Sequence, residues 1–76
     1  GAGHDTAWAV AERIRSSVEQ FPFLVDGTTL KITLSIGISI AHGGGTTTEA
    51  LIRTADRALY DAKNSGRNRI ISHARS

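Results

Sequence analysis

Lys31 to Ile40 alternates more strictly than any other stretch of the chain. Ile32, Leu34, Ile36, Ile38 and Ile40 fall on one side, and Lys31, Thr33, Ser35, Gly37 and Ser39 on the other. A period of two built from branched residues demands a strand. The aliphatic face is expected to be core. The opposite face is small and polar, so something must approach the sheet closely there. A helix backbone is the commoner cause, a ligand the other one.

The flanking pattern supplies few partners for such a strand. Asp5 or Thr6 can cap a helix from about Ala7 to Gln20, with Ala7, Ala11, Ile14 and Val18 on one stripe. Glu12, Arg15 and Glu19 lie on its wet side at spacings that suit surface pairs. Pro22 ends this helix. Phe23-Leu24-Val25, Asp26-Gly27 and Thr28-Thr29-Leu30 read as a hairpin. His42-Gly43-Gly44-Gly45 reads as a loop. Thr46 and Glu49 have capping-box spacing and open a second helix near Thr47. Glu49 and Arg53 are spaced for a surface pair.

That second helix carries Leu51, Ala55, Ala58, Leu59 and Ala62 on one apolar face and stops at Gly66. Arg69 to Ser72 is a closing strand, and residues 73–76 are expected to fray. Lys63 and Arg67 stand together at the helix end. Such a pair can hold a phosphate, Lys as a mobile point charge and Arg as a fork. It can also simply offset the negative end of the helix dipole, and by spacing alone that is the commoner case.

Size and charge narrow the choices. With 76 residues there is one small domain at most, burying only about 60% of its unfolded surface. No cysteine is present, so there is no disulfide or thiolate metal site. The three histidines are far apart, and no pair has metal-ligand spacing. No run of eighteen apolar residues occurs. Residues 1–52 hold three basic and five acidic side chains, whereas residues 53–76 hold six basic and two acidic. An anionic partner is therefore sought in the last third. Aromatic residues do not interleave with these cations, which argues against nucleic acid and for a small phosphorylated ligand. Helix, hairpin with a long strand, helix, strand is an α+β arrangement with too little sheet for its two helices, an incomplete domain. Residues 1–5 are expected to be a leader outside it.

Ala11-Glu12-Arg13-Ile14-Arg15, then Ile32-Thr33-Leu34-Ser35-Ile36-Gly37-Ile38, then Ala55-Asp56-Arg57-Ala58-Leu59-Tyr60-Asp61-Ala62-Lys63-Asn64-Ser65-Gly66-Arg67-Asn68 resemble the C-terminal half of a GGDEF domain. The resemblance covers residues 6–72. It implies an α/β sandwich of the nucleotidyl-cyclase kind and a cytoplasmic diguanylate cyclase, joining two GTP into cyclic di-GMP, with a homodimer as the working unit. It implies that Lys63 and Arg67 bind the GTP phosphates and that Arg13 serves an inhibitory cyclic di-GMP site. Asp56, Tyr60 and Asn68 match recurrent positions and are assigned to packing and turn hydrogen bonds, and Gly37 to close approach in the sheet. The signature hairpin and the carboxylates that hold Mg2+ do not occur in these residues, so no catalytic or metal residue is assigned. The alternatives are a degenerate module that binds GTP or cyclic di-GMP as a receptor, and a dimerising fragment without activity.

Overall fold

Small side chains decide how this chain packs. The computed structural model describes residues 2–41 and 45–75. Their order is α1 (Ala2–Gln20), β1 (Phe23–Val25), β2 (Thr28–Leu30), β3 (Ile36–Ala41), α2 (Thr48–Asn64) and β4 (Ile70–Arg75), an α+β chain.

β3 and β4 run parallel, Ile36 opposite Ile70, Gly37 opposite Ile71 and Ser39 opposite His73, with α2 as the crossover. Gly37 faces α2, and the approach is so close that a Cβ there would lie 2.5 Å from the Ala55 carbonyl oxygen and 2.9 Å from Leu59 Cα. The helix presents Ala50, Ala58 and Ala62, all buried, and so lets its backbone settle onto the strand. The close neighbour of the small face is therefore a helix. By alternation, Ile36, Ile38 and Ile40 lie on the face away from α2. They are only half-buried, so the aliphatic face expected to be core is only partly covered among the described residues.

Several boundaries differ from expectation, each for a reason. β3 begins at Ile36, not Lys31, because the ladder begins where Ile36 N–H meets the Arg69 carbonyl at 3.0 Å and the residues before it have no strand beside them. β4 runs on to Arg75, since β3 offers partners through Ala41 and the His73 ring bonds Asp61 on α2, so residues 73–75, expected to fray, are strand, while residue 76 lies outside the described residues. α2 is capped by Thr47, whose hydroxyl accepts the Ala50 N–H at 3.1 Å. The helix starts at Thr48, which makes Thr47 the residue in reach, while the Thr46 hydroxyl is buried without a partner among the described residues. No Glu49–Arg53 pair forms among them. α1 begins at Ala2, so residues 2–5 continue the helix and Asp5 sits in its first turn instead of capping it. Of the glycine loop, residues 42–44 lie outside the described residues.

β1 and β2 form the expected hairpin, Phe23 opposite Leu30, turning through Asp26 (φ 49°) and Gly27 (φ 78°). Two successive positive φ values match the right-handed strand twist, which is why Asp-Gly suits the site. Phe23 is the hairpin residue nearest the end of α1. The Phe21 and Phe23 rings are 4.8 Å apart at 56°, and with Ser17 and Val18 they line an apolar hollow. α1 itself meets β3 and β4 but not α2.

Candidate functional site at the end of α2

The last turn of α2 closes by satisfying its own carbonyls. Ser65 N–H donates to Asp61 O at 2.9 Å, and Arg67 N–H reaches back to Ala62 O at 2.9 Å. That second bond, running past Gly66 (φ 129°), is the long return bond of a Schellman-type stop. Asn64 Nδ2 donates to Tyr60 O at 2.8 Å and Ser65 Oγ to Asp61 O at 2.6 Å. The carbonyls of residues 60, 61 and 62 are thus paired without help from any cation.

Lys63 lies in the last turn and Arg67 just beyond it, both exposed, and neither side chain has a hydrogen bond or ion pair among the described residues. Offset of the helix dipole would still favour their charge, but the paired carbonyls of residues 60–62 do not need them. Arg69 adds a third charge. Its guanidinium folds over Gly66 and its Nε donates to the Arg67 carbonyl at 3.1 Å. The structure therefore brings Lys63, Arg67 and Arg69 to one turn.

Arg67 (φ 60°) and Asn68 (φ 48°) are consecutive non-glycine residues in the left-handed region. Each costs about 1–2 kcal/mol and persists only where neighbours hold it. Asn68 is held three ways: its N–H donates to Ser35 Oγ at 3.2 Å, its Oδ1 accepts from Arg15 NH1 at 2.7 Å, and its Nδ2 donates to Glu19. Arg15 in turn forks onto Glu12 through Nε at 2.8 Å and lies 3.6 Å from Glu19. The hydrogen bond from Arg15 holds the Glu12 carboxyl below the usual glutamate range, and the same bond pushes the Arg15 guanidinium up. The helix pairs and the role of Asn68 match the sequence reading. The reach of Arg15 across 53 positions was not visible there, because no local spacing encodes it.

Arg13 is exposed on α1, its carbonyl accepting from Ser17 Oγ at 2.7 Å. Asp56 and Tyr60 are exposed, which corrects their assignment to packing. A second depression, a cleft of about 440 Å³, lies between α2 and β4 and is lined by Arg53, Thr54, Arg57, Asp61 and His73. His73 Nε2 lies 2.7 Å from Asp61 Oδ2, and since a carboxylate only accepts, Nε2 carries the proton.

Among the described residues no group of three or more His, Cys, Asp or Glu is placed to hold a metal ion, and no helix is long and apolar enough to cross a membrane.

Comparison with known proteins identifies the family of the chain. The family described as "Diguanylate cyclase, GGDEF domain" matches residues 2–69. Over 92% of its length the chain is 46% identical to Response regulator PleD of Caulobacter vibrioides. Over 84% it is 44% identical to Diguanylate cyclase A of Treponema denticola, and over 90% it is 41% identical to Diguanylate cyclase DgcM of Escherichia coli. The matched regions are 17%, 17% and 16% of those three proteins, so the chain spans about a sixth of the relatives it resembles.

Proposed function

This chain belongs to the GGDEF domain family of diguanylate cyclases, and we propose that it supplies the triphosphate-binding part of a domain that joins two GTP molecules into cyclic di-GMP. Lys63 and Arg67 would hold the phosphates, and the observation that carries this reading is their freedom. Neither side chain has a partner among the described residues, and the carbonyls of residues 60–62 beside them are already paired, so both cations remain available to an anion. Holding the triphosphate fixes the leaving pyrophosphate and offsets the charge that builds on it, which is most of what a phosphoryl-transfer site must do. Arg69 would contribute to the same field.

The residues present do not fit a magnesium site. No group of three or more carboxylates or histidines is placed to share an ion among the described residues, Glu12 and Glu19 are engaged by Arg15, and Asp61 is bonded to His73. The Mg2+ ligands of the complete domain would then lie outside this chain. A homodimer in the cytoplasm suits the reaction, because each half-site brings one GTP and the product is two-fold symmetric. Arg13, exposed on α1, is available to a cyclic di-GMP that regulates the domain.

The test is the complete domain with its native upstream sequence, incubated with GTP and Mg2+. Cyclic di-GMP formation is expected, and Lys63→Ala should weaken GTP binding about tenfold with little change in melting temperature. Nucleotide binding without product would make the domain a receptor. Earlier melting with unchanged affinity would remove Lys63 from the site.

A further inference from the structure

We propose that Arg15 is a positioning residue for the phosphate-binding turn, acting through Asn68 on Arg67; this rests on the reading of Arg67 given above. The Arg67 side chain has no partner among the described residues, so its backbone decides where its guanidinium starts. That backbone is left-handed, as is the next residue, a pair of conformations that non-glycine residues avoid. What holds them is the residue after the clamp. Asn68 is tied to Ser35 ahead of β3 and to Arg15 and Glu19 on α1.

Arg15 is the hub of that tie. Its side chain is only 15% exposed, although it sits on the charged side of α1. It forks onto Glu12 with both Nε and NH2 while NH1 reaches Asn68 Oδ1. Glu19 closes the circle by receiving Asn68 Nδ2 and standing 3.6 Å from Arg15. A lysine could not reproduce this arrangement, because it lacks the planar fork that serves two acceptors at once. Each Asn68 amide atom has one partner on α1, so the turn cannot relax to an ordinary right-handed conformation without breaking both bonds. α1 thus braces, from the far end of the sequence, a turn whose arginine faces the ligand.

A purely structural arginine would loosen the whole domain, whereas a positioning arginine works only if Arg67 is there to be positioned. A double-mutant cycle on affinity separates the two. Binding of a non-hydrolysable GTP analogue is measured by calorimetry on the complete domain. The variants are Arg15→Ala, Arg67→Ala and Lys63→Ala, and Arg15→Ala combined with each of the other two. Arg67→Ala should weaken binding about tenfold. Arg15→Ala should weaken it several-fold, since misplacement by about 1 Å is enough to lose a charged contact. In the Arg67→Ala background Arg15→Ala should cost less than about twofold more, yet in the Lys63→Ala background its full effect should persist. An equal loss in both backgrounds overturns the proposal, as does unchanged affinity in Arg15→Ala when Arg67→Ala weakens binding. If neither Lys63→Ala nor Arg67→Ala changes affinity, the phosphate reading itself fails and takes the proposal with it. Should Arg15→Ala not fold, Asn68→Gly tests the same link. It adopts the left-handed turn freely, drops both bonds to α1, and should show the same dependence on Arg67.

Discussion

Ala58 and Ala62 on α2 are wholly buried, whereas Leu24 at the hairpin is 70% exposed. The first pair belongs to β3–α2–β4, where a helix backbone lies directly on Gly37 and the last helical turn closes its own carbonyls. Leu24 belongs to the arm made by α1, β1 and β2, which carries Val10, Ile14, Phe21, Val25 and Leu30 exposed as well. The radius of gyration is 14.8 Å, where a compact chain of this length would show about 11 Å. Apolar residues are plentiful in both regions. Burial follows instead from whether a second surface exists, and small residues create one more effectively here than large ones do. At the candidate site the two regions are joined by Arg15 and Glu19 to Asn68.

The largest effect should come from the packed unit. Gly37→Ala would drive a methyl into the α2 backbone at Ala55 and Leu59, and no side-chain rotation can relieve a clash with backbone. A loss of about 3 kcal/mol in urea unfolding is expected. A loss below about 0.5 kcal/mol would mean that α2 can lift from the sheet, and the contrast between the regions would collapse.

Asn68 joins the regions, so replacing it should cost an intermediate amount. Asn68→Ala removes two side-chain bonds at about 1 kcal/mol each and places a residue with no local hydrogen bond in the left-handed region. Asn68→Gly removes the same bonds without that penalty. Unfolding should find the alanine variant less stable than the glycine variant by about 1 kcal/mol. Equal stabilities would show that the turn relaxes once freed from α1, and that its conformation is not imposed on Arg67.

Gly37 and the alternating residues around it were legible because one short stretch contains the whole signal, and the capping and stop of α2 were legible within a residue for the same reason. The two-residue turn at Asp26-Gly27 is equally local. The ends of β3 and β4 were not, since a strand extends only as far as its neighbour, and that neighbour lies more than thirty positions away. Lys63 and Arg67 could be singled out by spacing, whereas the pairing of the Asp61 and Ala62 carbonyls beside them is displayed only by the fold. Arg15 looked like half of an ordinary helix pair, and it is one. Its third nitrogen, turned toward Asn68, is what the sequence had no means of showing.

The smallest effect should come from the arm, and it probes the comparison from the other side. If Leu24 is exposed because nothing covers it, Leu24→Ser removes no contact and stability should change by less than about 0.5 kcal/mol. Solubility should rise, because the exposed apolar area falls. The same substitution in the complete domain is the sharper measurement. An effect that stays small there means the hairpin remains in solvent when the rest of the domain is present. A cost of about 2 kcal/mol, the usual consequence of losing a buried leucine, would mean that the upstream part of the domain covers this face. The arm would then be half of a core whose other half lies outside the described residues, and its poor burial would reflect a missing neighbour and not a weak sequence.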